Sequence, residues 1–269
     1  MGKQQNIDIQ HPEAWELIVA VADKRVDYIL YTPSVSNSLI IGQVSCADDS
    51  VQALEDAVYD TPVLLNEYKR VRVLVHSSHF VLLPTDAGDD DAAMLVREAF
   101  PGDDGDAAVC HMTGNDVKIA FLMPRGMQAF LGRTFNYPAV YHHLSPLCEH
   151  FKELGHDDNR SRMFINLRNQ EMDLAVYRDS LLQCANTYHF TDTADAAYFA
   201  MNAWRTLGLD QLNDELQLMG DADQCVAMTP ALREYVKFVM PAVFPAEAMR
   251  LGRNAMQAPL ELILLALCE

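Results

Sequence analysis

Residues 163–180, M-F-I-N-L-R-N-Q-E-M-D-L-A-V-Y-R-D-S, gather several side chains able to handle a charged ligand. They read as a strand, a tight turn and a second strand, with Asn166, Arg168 and Asp173 around the turn. Arg168 carries a rigid fork of N–H donors that suits a carboxylate or phosphate. Asp173 supplies a carboxylate, or simply a polar residue at a strand start. An earlier turn, A-D-K-R, brings Lys24 and Arg25 close together in sequence. The plain alternative for these cations is a solvated turn. Gly220, closing the strand in L-Q-L-M-G-D, fits a turn that needs an unusual backbone angle.

Other constellations carry less. His142, His143, Cys148, His150 and His156 lie within a short span, and His76 and His79 flank a turn. Zinc needs three or four ligands converging at about 2.0–2.3 Å, and this spacing does not bring them to one point. Cys148 and His150, two apart, face different sides of a helix. No metal site is assigned. The G-x-S-x-G, Walker and G-x-G-x-x-G patterns are absent. The acidic segment 86–106 lacks the ligand spacing and central glycine of a calcium loop, and reads as a solvated face open to a basic partner.

The elements that hold these residues must come from a chain of 269 residues, 50% of them hydrophobic, with a net charge of −18. Such a chain buries a large core or two smaller ones. Its field repels nucleic acid and anionic membrane, so neither is an expected partner. The polar start, M-G-K-Q-Q-N-I-D-I-Q-H-P, lacks the apolar stretch of a signal peptide, and no run is long enough for a bilayer span. Six scattered cysteines without a C-x-x-C pair suggest reduced thiols. A cytoplasmic location follows as the expectation.

Apolar runs at 15–21, 26–31 and 39–44 predict a three-strand antiparallel meander, followed by a helix at 49–59. Strands at 71–75 and 80–83, a helix at 90–100, a hairpin at 109–113 and 117–123, and a helix at 125–133 come next. Ser145-Pro146 predicts a helix start. The polar run 155–160 is the best linker, which divides the chain into 1–157 and 158–269. The meander then returns at 163–167, 173–177 and 181–188. A helix at 193–207, a strand at 215–219, a helix near 230–239 and a terminal packing helix complete the second half. Asp27, Tyr31 and Ser34 match Asp173, Tyr177 and Ser180 at one offset of 146, pointing to an internal duplication.

A duplicated strand-strand-strand-helix unit resembles the actin, sugar-kinase and heat-shock-ATPase superfamily. The stretches Y-K-R-V-R-V-L-V-H-S-S-H-F-V-L-L-P (68–84), Y-H-H-L-S-P-L (141–147), the hairpin at 163–180 and the closing L-C-E are similar to one family, domain of unknown function 3822. The resemblance implies an α/β, actin-like ATPase (ribonuclease H-like) fold, with two lobes that each open on a meander and a terminal helix at their interface. It implies no established activity.

In that superfamily each hairpin offers a carboxylate for the water shell of Mg²⁺ and glycines that let backbone N–H groups reach phosphate. Here Asn166 stands at the carboxylate position, Arg168, Asn169 and Gln170 at the glycine turn, and Ala20 and Ala22 at the equivalents in the first hairpin. Gly220 keeps one glycine of the adenosine motif, with Asp221 in place of the second. The resemblance therefore implies a pseudo-ATPase without a cofactor. Its expected work is to hold an unidentified protein partner or to self-associate. The alternative is weak binding of ATP or another anion, without hydrolysis, by Lys24, Arg25 and Arg168 in the interlobe cleft.

Overall fold

The computed structural model describes residues 9–22, 24–112, 114–154 and 160–268. Contacts divide the chain into two compact units. Unit 1 comprises Met1–His111, Lys118–His143 and Pro245–Glu269, and unit 2 comprises Met112–Val117 and Leu144–Phe244. The junction expected at 157/158 lies outside the described residues. The C-terminal segment, expected to continue the second half, groups with unit 1.

In unit 1, strands β1 (Glu16–Ala22), β2 (Arg25–Tyr31) and β3 (Ile40–Ser45) form the meander, and helix α1 (Val51–Tyr59) follows. Ser50 caps α1 by accepting a hydrogen bond from the Ala53 N–H at 3.1 Å. Strand β4 (Arg70–Val75) returns parallel to β1, and β8 (Ala139–His142) adds parallel to β4, giving the order β3-β2-β1-β4-β8. Inserted between them are β5 (Phe80–Pro84), α2 (Asp89–Ala99), β6 (Asp106–Met112), β7 (Val117–Met123) and α3 (Met127–Phe135). The inserted strands form a three-stranded sheet, β5-β7-β6. Helix α2 closes one face of that sheet through Ala92 and Val96 against Ala120 and Leu122.

Unit 2 repeats the plan. After α4 (Leu144–Leu154), strands β9 (Arg162–Arg168), β10 (Glu171–Arg178) and β11 (Leu181–His189) form the second meander, and α5 (Thr193–Thr206) follows. Strand β12 (Glu215–Gly220), helix α6 (Ala222–Arg233) and strand β13 (Phe238–Pro241) complete a sheet ordered β11-β10-β9-β12-β13. Along β9 and β10, Met163, Ile165, Leu167, Met172, Leu174 and Val176 join one core with residues of α5 and α6. The alternate residues look the other way, where Phe151 of α4 stacks on Phe164 with ring centroids 4.6 Å apart. Asn166, Arg168 and Asp173 share that second face by strand periodicity.

The offset of 146 persists in the pairing register. Ala20 faces Asp27 as Asn166 faces Asp173, and Glu16 faces Tyr31 as Arg162 faces Tyr177. Both units also carry a buried ion pair at the start of the first strand, with the signs exchanged. Glu16 meets Arg72 at 3.2 Å in unit 1, and Arg162 meets Glu215 at 3.1 Å in unit 2. The Arg72 guanidinium also donates to the carbonyls of Leu265 and Cys268, which ties the end of α7 (Leu260–Leu267) to the sheet. Burial holds the Tyr31 hydroxyl, also bonded to Glu16, protonated well past its ordinary range.

Four elements differ from the sequence reading. Strands β8 and β13 were not expected. Each has only four residues and pairs in parallel with a distant segment, so neither local alternation nor a hairpin turn announces it. Leu144 is already helical, which places Ser145 and Pro146 inside the first turn of α4 instead of at its cap. Helix α6 starts at Ala222, eight residues before Pro230, because the Asp221 carboxylate accepts from the Gln224 N–H at 2.9 Å and caps it there. Pro230 then sits within the helix and denies the Val226 carbonyl its donor. Val226 is 73% exposed, so water can take that role.

Candidate functional site

In unit 2 the turn between β9 and β10 has two residues, since Arg168 pairs with Glu171. Asn169 takes φ 50, a left-handed conformation that asparagine tolerates better than most residues, so the turn closes without glycine. Behind the turn, Asp173 is fully buried. Its Oδ2 accepts from Arg168 Nε at 3.1 Å and from Asn166 Nδ2 at 3.2 Å. Its Oδ1 accepts from Arg168 Nη2 at 3.1 Å and from Thr187 Oγ1 at 2.9 Å. A carboxylate offers about four lone-pair sites. All four have a protein donor. Arg168 also pairs with Glu171, which leaves its single positive charge between two carboxylates.

Gly220 lies beside this cluster, in register with Leu167 on β9. It has φ +94, and a Cβ there would stand 1.9 Å from the Leu167 carbonyl oxygen. Only glycine permits that approach. The next residue, Asp221, donates its N–H to the same carbonyl at 2.7 Å. Gln224, in the first turn of α6, donates its side-chain amide to the Asn169 carbonyl. The start of α6, where backbone N–H groups would otherwise point to an anion, is therefore occupied by Asp221 and braced by Gln224.

In unit 1 the corresponding turn pairs Ala22 with Arg25, and Lys24 takes φ 56. Arg25 Nε meets the Asp27 carboxylate at 2.7 Å. The acid at this register is neutralised by an arginine of its own hairpin in both units, from the same strand in one and the neighbouring strand in the other. Lys24 instead borders an open concavity of about 390 Å³, solvent mouth included, with Cys46, Asp48, Ser50, Val75 and His76 also on its wall. It lies past the carboxyl ends of β1 and β4, where ligands of open α/β sheets bind. Burial, reinforced by Asp48, pushes the Cys46 thiol up, so it is not a ready nucleophile.

The structure thus joins Asn166, Arg168 and Asp173 in one hydrogen-bonded group, with Gly220 on the adjoining strand. Lys24 and Arg25 are neighbours in unit 1 but engage different surroundings. The sequence reading missed the buried partner of His76, whose Nε2 stands 3.3 Å from Glu261 Oε1 while its ring stacks on His143 at 4.6 Å. The available signal was Glu261 itself, one acid inside P-L-E-L-I-L-L and 2% exposed. Among the described residues no group of three or more His, Cys, Asp or Glu is arranged to hold a metal ion. His156 lies outside them. No helix among the described residues is long and apolar enough to cross a membrane.

Two meanders of one strand order, each crossed by a parallel return strand, define an actin-like ATPase fold. A Bacteroides thetaiotaomicron protein described as having an actin-like ATPase fold and unknown function is similar over 98% of this chain and 99% of its own, at 21% identity and a TM-score of 0.82. The chain belongs to the family described as protein of unknown function (DUF3822), whose model matches residues 4–239. A structure described as the PilM–PilN type IV pilus biogenesis complex is similar over 96% of this chain and 100% of that one, at 10% identity and a TM-score of 0.53. No curated protein matches the chain.

Proposed function

We propose that this chain is a catalytically degenerate actin-like protein, located in the cytoplasm, whose work is to hold a protein partner or to assemble with copies of itself. The observation that carries this reading is the saturated Asp173 carboxylate, which has no lone pair left for the water shell of Mg²⁺. The charge of Arg168 is already spent on Asp173 and Glu171, which also argues against its holding phosphate. A protein complex among the similar folds supports the interaction reading.

Weak anion binding keeps one supporting observation, Lys24 on the rim of the unit 1 concavity, with Asp48 and Asp49 on the same wall opposing it. The deciding experiment is calorimetric titration of the purified protein with ATP and ADP, each with and without Mg²⁺. The expected result is neither heat of binding nor thermal stabilisation at about 1 mM nucleotide. Saturable binding that requires Mg²⁺ would overturn the degenerate reading. Metal-independent binding lost on Lys24→Ala would establish the anion reading instead.

A further inference from the structure

We infer that two copies of this chain pair edge to edge through strand β3, joining their unit 1 sheets into one across a twofold axis. This rests on the interaction reading above and names the partner.

Strand β3 is the outer strand of the unit 1 sheet. In an antiparallel ladder the backbone groups of successive residues point alternately to the neighbouring strand and away from it. The Cys46 N–H donates inward, to the Lys24 carbonyl at 2.8 Å. The N–H groups of Asn37 and Leu39 donate outward, to the carbonyls of Arg250 at 3.0 Å and Leu251 at 2.9 Å. Ile41, Gln43 and Ser45 continue that outward series. The edge thus already takes a backbone partner at its start, supplied by its own chain. Beyond Leu39 no further backbone partner lies along it among the described residues. Gln43 and Ser45 are exposed there, and Ile40, Ile41 and Val44 only half-buried.

Sheet edges are ordinarily protected by charge, proline, a bulge or shortness. Strands β8 and β13 have four residues each, β13 ending in Pro241, and the pairing of β11 slips in register at Val176 and Tyr177. Strand β3 has none of these devices. Its pairing with β2 runs unbroken from Arg25 opposite Ser45 to Leu30 opposite Ile40. The Tyr28 ring lies where a side chain on Gly42 would be, which keeps a strand with a central glycine regular. Residues 28–47 contain no Asp, Glu, Lys, Arg or His, in a chain with 22% charged residues. Every other run free of these residues is less than half as long.

That neutrality selects the partner. Copies of net charge −18 repel one another, and two β3 edges can meet without setting like charges opposite. The nearest charges, Arg25 and Asp27 on β2, neutralise each other at 2.7 Å. Beyond the strand ends, Lys24, Asp48 and Asp49 of one copy lie toward Glu247, Arg250 and Arg253 of the other, a balance of opposite sign. Antiparallel pairing about Gln43 sets the two Gln43 residues together on the axis and Ile41 of each copy opposite Ser45 of the other. The same edge used twice is isologous, so association stops at two. Backbone bonds that replace bonds to water contribute little each, which places this contact among the small, reversible interfaces.

Sedimentation velocity across about 1–100 µM protein tests this. The weight-average mass should rise with concentration to that of a dimer and no further. At about 0.5 M NaCl the dimer should persist or strengthen, because salt screens the repulsion between copies and the contact itself is uncharged. Gln43→Lys and, separately, Gln43→Glu set like charges together on the axis, and each should give a monomer that is still folded by circular dichroism. Mixed in equal amounts, the two variants should recover a dimer with one copy of each, because opposite charges then meet. Wild-type protein that stays monomeric at the highest concentration overturns the assignment, as do variants that still dimerise alone or a mixture that does not. Any of these failures, with nucleotide binding still absent, leaves the interaction reading standing and moves the partner to a different protein.

Discussion

A buried carboxylate given four protein donors is a structural group, and Asp173 should behave as one. Arg168→Ala would leave its charge uncompensated in the interior, and Asp173→Ala would leave the Arg168 guanidinium with Glu171 alone. Each should cost about 3–5 kcal/mol in urea denaturation, the range for removing one partner of a buried pair. The double variant should lose clearly less than the sum, since the second change removes the group the first one stranded. A ligand-binding Arg168 would give the opposite pattern, with affinity lost and stability kept. Sequence reading set Asn166, Arg168 and Asp173 around one turn as candidates for a charged ligand. It could not foresee that they satisfy one another, because residue types show what a group can bind and not what already binds it.

At the scale of elements, both meanders were legible from alternating apolar runs and turns, and the offset of 146 carried through to pairwise register. What stayed hidden were β8 and β13, whose partners lie far away in sequence, and the true start of α6. The helix expected near 230–239 begins at a proline, a residue favoured in a first turn. The Asp221 cap outweighed it and carried the helix through. Pro230→Ala should therefore restore a donor to the Val226 carbonyl and stabilise the protein by about 1–2 kcal/mol, less than the full cost of an interior proline because Pro230 lies close to the end of α6. Thermal unfolding measures it directly, and a lowered midpoint would mean that the ring packs in a way alanine cannot. At the other end of β12, Gly220 leaves no such latitude, since a side chain there would enter the Leu167 carbonyl.

At the scale of the whole chain, duplication raises a difficulty that the exchanged ion pairs address. Two halves with the same strand order could trade first strands while folding, with β9 taking the place of β1. Arg162 would then stand where Glu16 does, facing Arg70 by register and Arg72 two residues along, while Glu16 would face Glu215. Like charges would be buried together at both places, at a cost of several kcal/mol each. Opposite polarity at this position disfavours that exchange and favours pairing of each first strand with its own return strand. Reversing the unit 1 pair, Glu16→Arg with Arg72→Glu, would give both halves the same polarity. Refolding from urea at about 1 µM should then yield less native protein and more aggregate than the wild type. An unchanged yield would show that strand identity is policed elsewhere. The exchanged signs would thus work as an address label, read while the chain is still finding its partners.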